Sequence, residues 1–306
     1  MKKVLLTVIL GLVIVVVITV LVSARLRVTQ NDGKLPIVAS FYPMAYFAEA
    51  IGGEKVSVKN ITPAGAEPHD YDPSTQDMAA IEQARLLILH GGGLEAWGSK
   101  IAQTLQGTNV TILTAGDGLA THQIEESGVN QQDPHVWLDP VLAKQEVTKI
   151  TTAIIRLDSG NRAYYQANEA KTLAMLDDLD SQYKLGLKAC QRQDFVTSHA
   201  AFGYLAEEYG LNQITIAGLS PDEEPSAQDL ASVARLVKAR DIKYIFFESL
   251  VSSKLSDTIA QETGAKTLEL NPIEGLTATQ TRQGENYQTI MRHNLTNLQI
   301  ALGCNQ

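Results

Sequence analysis

The order of strand-like and helix-like segments constrains the fold of this chain more than any other feature. Short apolar runs such as residues 35–40 and 85–90 alternate with helical patterns in two separate stretches of the sequence. This alternation is typical of a parallel sheet whose strands are joined by helical crossovers. Because it stops near Pro140 and resumes near Phe195, we predict an α/β protein with two such lobes.

The segment between the two stretches has a different pattern. Residues 140–190 contain no convincing strand, and a set of apolar residues recurs at intervals of three and four: Leu173, Leu176, Leu179, Tyr183 and Leu187. This spacing marks one face of a helix, which would run roughly 40 Å over residues 161–189. We therefore predict a rigid backbone helix that joins a first lobe (residues 36–140) to a second (residues 191–306) through a linker (residues 141–190).

The first 25 residues predict a signal or anchor segment. Lys2 and Lys3 precede residues 4–24, which carry no charge and would span about 30 Å as a helix, the thickness of a bilayer core. Either the segment stays as an anchor, or it is removed after Ala24. Both alternatives predict export, to the periplasm or the outer face of the cytoplasmic membrane, with residues 26–35 as a spacer. No cysteine lies nearby, which excludes lipoprotein-type acylation.

Charge and cysteine content narrow the possibilities further. The chain has 25 basic and 34 acidic residues, a net charge of −9, and such a balance argues against a nucleic-acid partner. Its two cysteines are Cys190 and Cys304. Outside the cytosol we expect either a disulfide or two free thiols. A disulfide would fasten the C-terminus and stabilise the fold by about 4 kcal/mol.

Three of the six histidines and one glutamate lie in comparable settings. His69 (in EPHDY) and His135 (in DPHVW) lie in loops bounded by proline, while His199 and Glu274 closely follow predicted strands. Ligands of open α/β sheets bind at the carboxyl ends of strands. Because three neutral imidazoles and one carboxylate suit Zn²⁺, we predict a metal site made of these four residues.

Other polar residues are expected to support the metal site or to lie outside it. We expect carboxylates that order the imidazoles among Glu67, Asp72 and Asp139, and metal affinity that falls with pH because the imidazoles must be neutral. His90 either lines the same cleft or is a satisfied residue at a strand end. We expect His122 and His293 to be solvated. The triplet at residues 91–93 lacks a phosphate-loop signature and predicts a tight turn.

Several segments in order resemble a known family. They are GAEPHDYDPS (65–74), DPHVWLDP (133–140), FVTSHAAFGYLAEEYGL (195–211), GLSPDEEPSAQDL (218–230), IFFESLVSSKL (245–255) and TGAKTLELNPIEGL (263–276). Over residues 36–302 the chain resembles the zinc and manganese receptors of bacterial ABC importers, cluster A-I, zinc branch. The resemblance implies a monomeric receptor, not an enzyme, that holds metal between two lobes and delivers it to a membrane permease.

The resemblance also separates zinc from manganese. In the manganese branch a carboxylate stands at the position of His199, and Mn²⁺ favours harder oxygen donors, so His199 favours zinc. The long histidine-rich loop of many zinc members is absent or vestigial, because residues 121–132 hold only His122, Glu125 and Glu126. The alternatives are a manganese or iron receptor of the same family and a secreted zinc hydrolase with Glu274 as base. Surface adhesion is a third possibility.

Overall fold

A four-stranded parallel sheet organises the first lobe of the computed structural model, which describes residues 33–126 and 129–305. Its strands lie in the order β2-β1-β3-β4, and every neighbouring pair is parallel. The elements of this lobe are β1 (Leu35–Ala39), α1 (Tyr42–Gly52), β2 (Val56–Asn60), α2 (Thr75–Gln83), β3 (Leu86–Leu89), α3 (Gly98–Thr104), β4 (Thr111–Thr114), β5 (Gln123–Glu126) and β6 (Val129–Gln132).

The second lobe repeats the arrangement. Its elements are β7 (Asp194–Thr197), α6 (Gly203–Glu208), β8 (Asn212–Thr215), α7 (Ala227–Ala239), β9 (Tyr244–Phe247), α8 (Lys254–Thr263), β10 (Lys266–Glu269), α9 (Ala278–Gln283) and α10 (Tyr287–Leu302). The four strands lie in the order β10-β9-β7-β8, again all parallel. The predicted α/β class is confirmed. The lobe boundaries at residues 140 and 190 stay predictions of the sequence.

Two long helices connect the lobes. Helix α4 (Pro140–Leu157) packs along helix α5 (Arg162–Gly186), and a short 3₁₀ turn joins them. Helix α5 has 25 residues, which corresponds to roughly 38 Å. It buries Leu176, Leu179 and Tyr183, three members of the apolar face that the sequence predicts. The predicted long helix is therefore confirmed. Helix α4, which packs against it, forms a second helical connection between the lobes.

One apolar core runs through both lobes. It includes Ile37 of β1, Leu179 of α5, Phe195 of β7 and Met291 of α10, all almost completely buried. Because interiors are close-packed and resist deformation, a shared core fixes the inner edges of the two sheets relative to each other. The core therefore also fixes the carboxyl ends of β7 and β10, which lead to His199 and Glu274, relative to the first sheet.

The polar segment at residues 121–132 differs from the prediction. Its polar sequence predicts a loop, but β5 and β6 pair there as an antiparallel hairpin. Its strands read QIEE and VNQQ and lack the apolar alternation that marks a half-buried strand. The short helix α9 was also missed.

The N-terminal prediction falls outside the described residues. Residues 1–32, which include the predicted anchor and most of the spacer, are not described. Within residues 33–126 and 129–305, no helix is both long enough and apolar enough to cross a membrane.

A disulfide closes the second lobe. Cys190, which follows α5, is bonded to Cys304, which follows α10. Backbone bonds from Gln191 to Gly303 and from Arg192 to Leu302 support the same junction. Of the two alternatives for this pair, the disulfide is therefore confirmed, and it ties the last helix to the start of the second sheet.

Removal of the disulfide should destabilise the protein. The variant Cys190→Ser/Cys304→Ser should lose about 2–4 kcal/mol of unfolding free energy, because the unfolded chain regains the freedom of a loop closed over 114 residues. Urea unfolding of the oxidised protein and of the variant measures the difference. The reduced wild-type protein is the control and should match the variant. Equal midpoints for oxidised protein and variant would contradict the expectation.

Candidate metal centre

The four residues predicted as ligands meet in one place. His69, His135, His199 and Glu274 each offer one nitrogen or oxygen atom, and these four atoms lie within 4.8 Å of one another. His69 and His135 come from loops of the first lobe, while His199 and Glu274 follow β7 and β10 of the second. The structure thus brings together residues more than two hundred positions apart. Their coordination of a metal stays a prediction.

Five of the six distances between the four donor atoms match the edges of a tetrahedron. The Nε2 atom of His135 lies 3.3 Å from that of His69 and 3.4 Å from that of His199. The Oε1 atom of Glu274 lies 3.1 Å from Nε2 of His135 and 3.4 Å from Nε2 of each other histidine. A tetrahedron with metal–ligand distances of about 2.0 Å has edges of about 3.3 Å. These five distances therefore fit a four-coordinate zinc site, and the donor atoms of His69 and His199 lie within 4.8 Å of each other.

Asp133 holds His135. Its Oδ1 atom accepts hydrogen bonds from the Nδ1 atom of His135 at 2.7 Å and from the backbone nitrogen of the same residue at 3.0 Å. Since Nδ1 carries the proton in this bond, Nε2 presents its lone pair to the centre. Both residues are buried, so the ring orientation is fixed.

Glu248 plays the same part for His199. It follows β9, the strand next to β7, so the two residues leave the same edge of the second sheet. Its Oε1 atom accepts a hydrogen bond from Nδ1 of His199 at 2.6 Å and a short one from the hydroxyl of Ser198. His199 is completely buried and Glu248 nearly so. The imidazole is held in the tautomer that leaves Nε2 free for a metal.

His69 lies at the opening of the site. Its side chain keeps 10% of its exposure, whereas those of His135, His199 and Glu274 have none. Residues of both lobes, including Asp70 and Leu219, line the surface depression that reaches it. The backbone nitrogen of His69 donates to Glu67. A cation from solvent therefore meets His69 first.

A strained segment presents Glu274. The preceding residue, Ile273, has a φ of 60°, in the left-handed region that β-branched residues avoid. Such a conformation costs about 1–3 kcal/mol and persists only where the surroundings enforce it. The loop is bonded to the first lobe on both sides of Glu274: the indole of Trp137 donates to the carbonyl of Pro272, and the nitrogen of Gly65 to that of Leu276.

The charges around the centre favour a cation. Burial alone would raise the pKa of Glu274, but the imidazoles of His199, His135 and His69 hold it well below its ordinary value. Burial alone would lower the pKa of His199, but Glu248 and Glu274 raise it well above its ordinary value. With neutral imidazoles, the buried carboxylate of Glu274 would lie beside three uncharged rings, two of which are bonded to the further buried carboxylates of Asp133 and Glu248. Because buried charge must be compensated, protons or a metal cation have to supply the positive charge.

Among the described residues, three carboxylate oxygens near the centre are buried without a hydrogen-bond partner. They are Oε2 of Glu274, Oε2 of Glu67 and Oδ2 of Asp133. Burial and the charge of Glu274 raise the pKa of Glu67 to about 10. An ionised Glu67 beside Glu274 would be costly, so it is held as the neutral acid. The Oε2 atom of Glu274 remains available to a metal.

The other histidines lie elsewhere. His90 is completely buried, and its Nε2 lies 3.1 Å from Glu146 of α4. Its Nδ1 atom is bonded to the carbonyl of Gly91, and His90 does not join the four residues of the centre. His122 is half-buried against the ring of Tyr204 and paired with Glu207, so its expected solvation was wrong. His293 is exposed, as predicted.

The supporting carboxylates were only partly anticipated. Of the three named from the sequence, Glu67 lies beside the site, Asp72 is exposed, and Asp139 caps the first turn of α4. Asp133 and Glu248, which hold two imidazoles, were missed. The sequence carries a signal for both, since Asp133 stands two residues before His135 and Glu248 directly follows a strand.

Comparison with known proteins identifies the family. A family model described as "Zinc-uptake complex component A periplasmic" matches residues 37–301. The chain belongs to this family. The resemblance drawn from the sequence is thereby confirmed, including its zinc branch.

Named members of the zinc-uptake component A family are similar along most of the chain. The high-affinity zinc uptake system protein ZnuA of Bacillus subtilis (strain 168) is 38% identical over 291 residues, 92% of this chain and 91% of that protein. The zinc-binding lipoprotein AdcA of Streptococcus pneumoniae (strain ATCC BAA-255 / R6) is 40% identical over 277 residues. This chain spans about half (55%) of AdcA.

A solved structure supports the same relationship. The crystal structure of the Zn(II)-bound ZnuA-like domain of Streptococcus pneumoniae AdcA superimposes with a TM-score of 0.78 at 38% sequence identity. The match covers 88% of this chain and 99% of that domain. The α/β fold with its long helix is thus the fold of the zinc-uptake component A family.

Loss of the support to His199 should weaken zinc binding. In the variant Glu248→Ala, the imidazole loses the acceptor that fixes its tautomer, so zinc affinity should fall about 10- to 100-fold. Competition titration against a chelating dye measures the change. Glu262→Ala, at an exposed glutamate on α8, is the matched control and should bind as the wild type does. Equal affinity of Glu248→Ala and the control would contradict this role.

Proposed function

We propose that this protein is an extracytoplasmic receptor that captures Zn²⁺ between its two lobes and delivers it to the permease of an ABC importer. The observation that carries the proposal is the tetrahedral convergence of His69, His135, His199 and Glu274, with two donors from each lobe. The family match supports it. In this account zinc is the cargo, and the four residues are its ligands.

The closure of the site favours a receptor over a hydrolase. A catalytic zinc keeps one coordination position for water, with three protein ligands. Here the carboxylate of Glu274 lies at tetrahedral spacing from all three imidazoles, which suits a fourth ligand better than a general base. Three of the four side chains are without exposure, so a substrate could not reach the metal. We therefore propose binding without catalysis.

Zinc is favoured over manganese by the donor set. Imidazole is a borderline donor that Zn²⁺ accepts well, whereas Mn²⁺ prefers carboxylate and water oxygens. The site offers three imidazoles and one carboxylate, four donors in all, whereas Mn²⁺ favours six oxygen ligands. His199 is the residue on which this preference depends.

Delivery follows from the division of the ligands. His69 and His135 belong to the first lobe, while His199 and Glu274 belong to the second. A movement that separates the lobes would leave each with half of a site, and half a ligand set holds zinc far more weakly. We propose that docking on the permease supplies this movement, with export directed by the N-terminal residues.

Replacement of His199 tests both the site and its selectivity. His199→Ala should lower zinc affinity at least about 100-fold, because a direct ligand is worth more than its outer support. His199→Asp should also weaken zinc but raise the affinity for Mn²⁺ relative to zinc, since a hard oxygen replaces nitrogen. Isothermal titration calorimetry with each metal measures both effects.

The exposed His293 provides the matched control for this experiment. His293→Ala removes an imidazole from the surface of α10 and should bind zinc as the wild type does. Cells that carry His199→Ala in place of the wild-type protein should need more zinc to grow in the presence of a chelator. Unchanged zinc affinity of His199→Ala would refute the proposed site.

A further inference from the structure

The loop between β10 and α9 reaches into the metal centre without regular secondary structure. Its residue Ile273 is completely buried and holds the left-handed conformation that directs the next residue, Glu274, toward the imidazoles. Among the described residues, Asp241 is the other non-glycine with positive φ, and it lies on the surface. Since a buried isoleucine does not adopt this conformation by itself, other contacts must impose it.

Asn294 of α10 forms two hydrogen bonds with the backbone at the start of this loop. Its Oδ1 atom accepts a hydrogen bond from the backbone nitrogen of Asn271 at 2.9 Å, and its Nδ2 atom donates to the carbonyl of Asn271 at 2.7 Å. The side chain of Asn271 in turn accepts a bond from the nitrogen of Ile273 at 2.7 Å. One buried amide thus fixes the backbone from which the strained residue departs.

Trp137 of the first lobe bonds the same loop from the side opposite to Asn294. Its indole nitrogen donates to the carbonyl of Pro272 at 2.8 Å, across the boundary between the lobes. Its own carbonyl accepts a hydrogen bond from the hydroxyl of Tyr287, the first residue of α10. The same indole packs against the ring of His135, with centroids 5.1 Å apart. The loop is therefore held by an asparagine of the second lobe and a tryptophan of the first.

We propose that Asn294 and Trp137 are positioning residues for zinc capture, which hold the Asn271–Ile273 backbone so that the Glu274 carboxylate is pre-placed as the fourth ligand. This inference rests on the proposed function. Neither residue is among the four donors, and each bonds the backbone that leads to Glu274. The conformation of Ile273 is energetically costly. Loss of the hydrogen bonds from either Asn294 or Trp137 therefore lets the loop relax, and the Glu274 carboxylate moves away from the metal position.

A double-mutant cycle tests this route of action. Zinc affinity is measured by chelator competition for the wild type, Asn294→Ala, Glu274→Ala and the double variant, with thermal unfolding recorded for each. Asn294→Ala should lower affinity about 10- to 100-fold in the wild-type background. In the Glu274→Ala background the same substitution should change affinity less than about threefold, because the group it positions is gone.

Asn297 offers a matched control on the same helix. One turn after Asn294, its amide donates to the carbonyl of Glu269, at the end of β10 and before the loop. Asn297→Ala removes the same type of bond and should change zinc affinity less than about threefold. Trp137→Phe, which keeps an aromatic ring but removes the bond to Pro272, provides the second approach if Asn294→Ala fails to fold.

The outcomes distinguish failure of the proposed ligand set from failure of the proposed positioning role. If Glu274→Ala itself leaves zinc affinity unchanged, the proposed ligand set is wrong. If Glu274→Ala weakens binding but Asn294→Ala and Trp137→Phe do not, the ligand set stands and the positioning role is overturned. An equal loss from Asn294→Ala in both backgrounds would reduce Asn294 to a general structural residue.

Discussion

The structure depends on the compensation of buried negative charge at one point between the lobes. The carboxylate of Glu274 is surrounded by three imidazoles, and two of these are held from behind by Asp133 and Glu248. Carboxylates at this depth are unfavourable unless positive charge accompanies them. Protons on the imidazoles can supply it, and so can a divalent cation. Protons and a metal cation therefore compete for the same imidazole nitrogen atoms.

The two-lobed fold brings the four donor side chains together at this point. Each lobe contributes two of the four predicted donors: His69 and His135 from loops of the first lobe, and His199 and Glu274 from the segments that follow β7 and β10. The long helices α4 and α5 and the shared core set the distance between the two sheets. The Glu274 loop adds a closer link, because its flanking residues Pro272 and Leu276 are bonded to the first lobe. The position of the Glu274 carboxylate therefore depends on both lobes.

Much of this arrangement could be predicted from the sequence because it follows from local patterns. Strand-and-helix alternation gave the two sheets, the apolar face around Leu176 and Leu179 gave the long helix, and loops at strand ends gave the four donors. The hairpin at residues 123–132 was missed because its strands are polar and depend on pairing rather than on burial. The role of Glu248 was missed because it depends on β9 lying next to β7, and sheet order is a tertiary property. Asp133 acts on His135 only two residues away, so its role could have been found from the sequence.

The strain at Ile273 had no signal in the sequence at all. Isoleucine opposes a left-handed backbone, so local propensity argues against the conformation that is found. It exists because Asn294 and Trp137, distant in sequence, hold the loop from both sides. Departures from local preference of this kind are expected at functional sites, where geometry is imposed by the surrounding structure.

The central claim is that four protein side chains, three imidazoles and one carboxylate, enclose Zn²⁺. X-ray absorption spectroscopy of the zinc-loaded protein, together with a crystal structure of the same complex, tests it most directly. The account predicts three nitrogen ligands from His69, His135 and His199 and one oxygen from Glu274, all at about 2.0–2.2 Å. A water molecule in the fourth position, with Glu274 displaced from the metal, would contradict it.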